Sequence, residues 1–121
     1  MARDIRKLEV FQCADRLLLD VMAISSAIAG QDRFAICNQV RRAALSVPVN
    51  LVEGGQRTTT REFARYVEIA AGSAAETRYL LCVAARLAPE ETKLTALEAD
   101  YERLVRQLET LRRRLSDSRT P

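Results

Sequence analysis

Histidine and tryptophan are absent from the 121 residues, and glycine (four), proline (three) and cysteine (three) are scarce. Without imidazole, the catalytic triads and zinc sites built on the commonest general base and metal ligand near neutral pH are excluded. Three cysteines are an odd number, and Cys13, Cys37 and Cys82 stand far apart, with no CxxC pairing, among apolar residues at helical spacing. They read as small core hydrophobes in a reducing cytosol, not as a disulfide framework. No secretory signal is visible, because Met1 to Lys7 is charged and the apolar stretch after it is broken by Asp15, Arg16 and Asp20. The longest weakly charged run, Val21 to Gly30, falls far short of the ~20 residues of a membrane span. What is present, 48% hydrophobic and 29% charged residues, suits one small globular domain over 1–121, expected to be soluble and cytoplasmic.

Apolar residues recur at helical spacing along nearly the whole chain. The clearest seam is Leu94, Leu97, Tyr101, Leu104, Leu108, Leu111 and Leu115, spaced alternately by three and four. Pro89 with Glu90 and Glu91 suits the opening of that helix, and Arg112, Arg113 and Arg114 complement its C-terminal dipole. A first helix is expected over about 4–29, ended by Gly30, and a second over about 32–53, stopped by Gly54-Gly55 through a positive φ. Pro48 lies inside the second helix and predicts a kink there, since an interior proline loses a backbone hydrogen bond and clashes with the preceding turn. A third helix, about 60–87, opens on Thr59-Thr60-Arg61-Glu62, a capping box of reciprocal hydroxyl and carboxylate bonds. The fourth spans about 89–115. Four such helices on short loops predict an all-α, antiparallel up-and-down four-helix bundle.

Charge is uneven. The net charge of +3 lies entirely in 31–65, where Arg33, Arg41, Arg42, Arg57, Arg61 and Arg65 stand against Asp32, Glu53 and Glu62. Arginine outnumbers lysine 17 to 2. The guanidinium fork suits fixed contacts to carboxylate or phosphate, although a GC-rich genome biases composition the same way. Arg41, Arg57, Arg61 and Arg65 are therefore the candidate nucleic-acid contacts. Phe63 is the neighbouring aromatic and no aromatic interleaving occurs, so contact would go to phosphate, not to stacked bases.

Arg42, Ser46, Asn50 and Glu53, separated by 4, 4 and 3, form a polar stripe on the second helix, and Ser73 and Glu76 on the third offer partners. Pairing of Arg42 with Glu76, or of Arg57 with Glu53, would make these residues a partly buried structural network. Enzyme signatures fail in turn. Glu53-Gly54-Gly55-Gln56-Arg57 ends a helix where a phosphate loop would begin one, no Glu-x-x-His pair exists for a di-iron site, and Ser46 sits in no nucleophile elbow. No catalytic residue, cofactor, metal or small-molecule substrate is expected.

The ordered run Gln39, Arg42, Ala43, Ala44, Ser46, Pro48, Asn50, Glu53, Gly54, followed by Arg57, Glu62-Phe63 and Ile69-Ala70-x-Gly72-Ser73-x-x-Glu76, resembles the signature of the bacterial four-helix-bundle protein family, also called the 23S rRNA intervening-sequence protein family. Leu51-Val52 stands where that family usually has Ile-Ala. The resemblance implies a four-helix bundle without enzymatic activity. It also implies kinship with the accessory protein of diversity-generating retroelements, a ring-shaped homopentamer that works with a reverse transcriptase and RNA through a basic surface. The function expected is a homo-oligomeric, pentameric interaction or accessory module whose partners are itself and RNA or an RNA-processing protein. The alternative is a pure protein scaffold whose arginines serve subunit contacts.

Overall fold

Helices that each bury one stripe need neighbours to bury it against, and four of them close the requirement. The computed structural model describes residues 3–28 and 33–119. It contains a short 3-10 turn (Ile5–Lys7) and helices α1 (Glu9–Ala27), α2 (Phe34–Gly55), α3 (Thr60–Leu87) and α4 (Lys93–Arg119), with no strand among the described residues. Packing is cyclic, α1 on α2, α2 on α3, α3 on α4 and α4 back on α1, so the fold is the expected antiparallel four-helix bundle. Leu17, Val21, Val47, Leu51, Val67, Leu81, Leu94, Leu104 and Leu108 are sealed inside it, and the α4 seam is buried from Leu94 to Leu108 and half-buried at Leu111 and Leu115. Among the described residues no helix is long and apolar enough to cross a membrane.

Helix ends depart from the sequence expectations where tertiary contacts outweigh local signals. The first helix starts at Glu9, not near Asp4. The Asp4 carboxylate accepts from the Arg6 amide at 3.3 Å to cap the 3-10 turn, and Leu8 is extended. That break lets Ile5 turn inward over Gly55, while the Arg3 amide donates to the Gly55 carbonyl at 3.0 Å. Gly54 and Gly55 do not stop α2 by a positive φ. Both lie inside it, and no described glycine has a positive φ. They are needed for close approach: a Cβ on Gly54 would come within 2.7 Å of Tyr66 Cβ, and one on Gly55 would collide with Ile5. The helix runs through Pro48, which is buried, and ends as the Gln56 and Arg57 amides turn back to Glu53 and Gly54.

Half of the capping box forms, Thr59 Oγ1 accepting from the Glu62 amide at 3.1 Å, with the Glu62 carboxylate left outside it. Pro89 opens a turn instead of α4. The Glu91 amide donates to the Ala88 carbonyl at 3.0 Å, which places proline at its favoured second turn position. Glu90 is thereby aimed at Arg33 (2.7 Å), and a backbone hydrogen bond and then that guanidinium hold its carboxyl below the usual range. The helix begins at Lys93 and runs past Leu115 to Arg119. Gly30 as a terminator and Asp32 as a start lie outside the described residues.

Candidate functional site

The polar stripe of α2 reaches α3 in its middle only. Asn50 Nδ2 donates to the Ser46 carbonyl (2.8 Å) and to Ser46 Oγ (2.9 Å), and Ser46 Oγ meets Ser73 Oγ at 2.8 Å. Because Ser46 Oγ accepts from the amide, its own proton is directed to Ser73. Thr77, fully buried one turn on, donates to the Ser73 carbonyl at 2.7 Å. Ser46, Asn50 and Ser73 thus form a half-buried bridge between the two helices, as their spacing suggests.

The charged ends of the stripe are not in that bridge. Arg42, Glu53 and Glu76 are exposed, and none makes a hydrogen bond or ion pair through its side chain among the described residues. The pairing of Arg42 with Glu76 does not form, because both side chains point away from the seam that the serines occupy. The pairing of Arg57 with Glu53 does not form either. Arg57 Nη2 donates instead to Tyr66 Oη at 2.8 Å, with the guanidinium 4.9 Å over the Tyr66 ring.

The four candidate arginines are all exposed, but they do not make one patch. Arg41 is on the α1 side of α2, its Nε 3.4 Å from Met22 Sδ, and about 20 Å along the helix from Gly54 by the helical rise. Arg57, Arg61 and Arg65 gather at the opposite end. Arg61 and Arg65 line an open groove between the start of α3 and the end of α4, with Arg112, Ser116, Thr59, Glu62 and Glu68 on its walls. Arg112 is held there by Glu109 at 3.0 Å.

Three participants escape a reading of the sequence. Arg3 stacks 4.6 Å over the Phe63 ring and donates to the Arg57 carbonyl at 3.0 Å. Tyr66, just beyond the basic segment, is the ring on which Arg57 lies, so two arginines at this end rest on aromatic faces, which orders them. Arg112 comes from a segment balanced in charge. Only chain closure brings these residues together, and no local pattern announces it.

Among the described residues no three His, Cys, Asp or Glu side chains converge as a metal site. Cys13 and Cys82 are half-buried and Cys37 is buried. Burial pushes the Cys13 and Cys37 thiols up, which disfavours the nucleophilic thiolate. No curated protein matches the chain. The bundle's four helices carry the Ser46, Pro48, Asn50 and Ser73 pattern at their α2–α3 contact, and the family model described as 23S rRNA-intervening sequence protein matches residues 6–115, so the chain belongs to that family.

Proposed function

We propose that this chain is a non-enzymatic, self-associating module of an RNA-related system, which contacts RNA phosphates through the groove where the start of α3 meets the end of α4. The observation that carries the RNA contact is the convergence of Arg61, Arg65 and Arg112 on one open groove, with Arg57 beside it held on Tyr66. Guanidinium groups fixed in this way suit phosphate, and the family's link to ribosomal RNA genes points to the same class of ligand. A nucleophile with an adjacent base is missing from the described bridge, whose hydroxyls bond to one another, and this supports a binding role over catalysis. Self-association into a closed ring, five-membered by the family resemblance, would multiply a weak contact per subunit. An RNA-processing protein is the natural companion of such a ring.

The test is titration of a mixed-sequence structured RNA at two salt concentrations. The log affinity should fall steeply with log salt, and replacing Arg57, Arg61 and Arg65 together should flatten the slope by about 2 to 3. A second reading, a scaffold without nucleic-acid binding, has Glu62 and Glu68 in its favour, since both line the same groove. No retention of RNA at low salt would establish it in place of the first.

A further inference from the structure

We infer that the outer face of α2 and α3, centred on Leu45, Val49 and Ile69, is where a second copy of this chain docks. The inference rests on the self-association reading and names the surface that carries it. Leu45, Val49 and Val52 recur at spacings of four and three on α2, and each keeps 43–46% of its surface exposed. Ile69 across the seam on α3 is 42% exposed. Isolated exposed hydrophobics are ordinary, but four that share one face form a patch of the kind that partners cover. Gly72 follows Ile69 on α3 at helical spacing. A Cβ there would meet nothing within 4 Å, so no contact within the protomer explains a glycine in mid-helix, where it weakens the helix relative to alanine.

The charges around the patch identify the occupant. Arg42 lies at one end of the α2 stripe and Glu53 three turns away at the other, with Glu76 on α3, and none is paired within the protomer. RNA does not suit a face with two carboxylates to one guanidinium and an apolar centre. A second copy supplies what is missing: its Glu53 or Glu76 answers Arg42, and its Leu45, Val49 and Ile69 answer the apolar centre. The Ser46–Asn50–Ser73 bridge then lies directly beneath the contact and holds α2 and α3 as one rigid platform.

The test is sedimentation of three forms of the full chain. Wild type should sediment as an assembly at micromolar concentration. Leu45→Glu with Val49→Lys, which leaves the net charge unchanged and forms a favourable pair one helical turn apart, should raise the concentration for half-assembly by about 100-fold or more with helical content unchanged. A chain carrying Arg42→Glu, Glu53→Arg and Glu76→Arg together, with every proposed pair inverted, should assemble as wild type does, whereas Arg42→Glu alone should assemble less. A monomeric wild type overturns the self-association reading and this surface together. An assembled wild type with an equally assembled Leu45→Glu, Val49→Lys variant overturns the surface alone. So does a charge-inverted chain that stays monomeric, or an Arg42→Glu chain that assembles like wild type.

Discussion

Tyr101 is fully buried between α4 and α1, and its hydroxyl has no hydrogen-bond partner among the described residues. Burial pushes the phenol well above its usual range, and Cys13 and Asp20 add to the shift. An orphaned buried hydroxyl is a net loss to folding, so Tyr101→Phe should raise stability by about 1 kcal/mol in urea unfolding at neutral pH. The pH dependence follows from the sign of the shift. The folded phenol keeps its proton where the unfolded one, near pH ~10, has begun to lose it, so stability is whole below that pH and falls as pH rises above it. Cys13 and Cys37, raised by burial, act in the same direction from about pH 8.5. Urea midpoints at pH 8 and 10.5 should therefore converge more closely in Tyr101→Phe than in wild type. The α2–α3 bridge makes a contrasting case. Asn50→Ala removes the donor that orients Ser46 and should destabilise by about 1 kcal/mol, while Glu53→Ala and Glu76→Ala, exposed and unpaired, should stay within about 0.5 kcal/mol in a protomer kept unassembled.

The elements show which signals a sequence carries openly. Periodicity gave the existence, order and inward faces of all four helices, because burying an apolar stripe is a local property of spacing; Leu94, Tyr101, Leu104 and Leu108 all lie inside, as their spacing requires. Ends were less legible. The apparent start near Asp4 became a separate turn because Ile5 docks on Gly55, and the apparent stop at Gly54-Gly55 became two helical residues chosen for their lack of bulk. The polar stripe was legible as a stripe, but spacing alone gives no means to tell that its serines and asparagine face α3 while its charges face outward. Gly55→Ala tests the revised role. The added methyl must displace Ile5, and overpacking of this kind should destabilise by about 1 to 3 kcal/mol in urea unfolding. A glycine needed only as a helix terminator would be tolerated better where φ is negative, as it is here.

At the scale of the molecule, the bundle separates its two surfaces. The arginine groove lies at the end where α3 begins and α4 finishes, while the apolar patch spans the middle of α2 and α3, so one can be disabled with the other intact. Leu45→Glu with Val49→Lys leaves Arg57, Arg61, Arg65 and Arg112 in place and the net charge unchanged. If a ring multiplies weak phosphate contacts, this variant should bind a structured RNA about 100-fold more weakly than wild type, because each subunit then binds alone. On an RNA too short to span two subunits, wild type and variant should bind alike, since avidity has nothing to act on. Fluorescence anisotropy with a long and a short RNA at one salt concentration measures both. An equal loss on the two RNAs would mean that the patch itself touches RNA, and no loss on the long one would mean that each subunit's groove works without assembly.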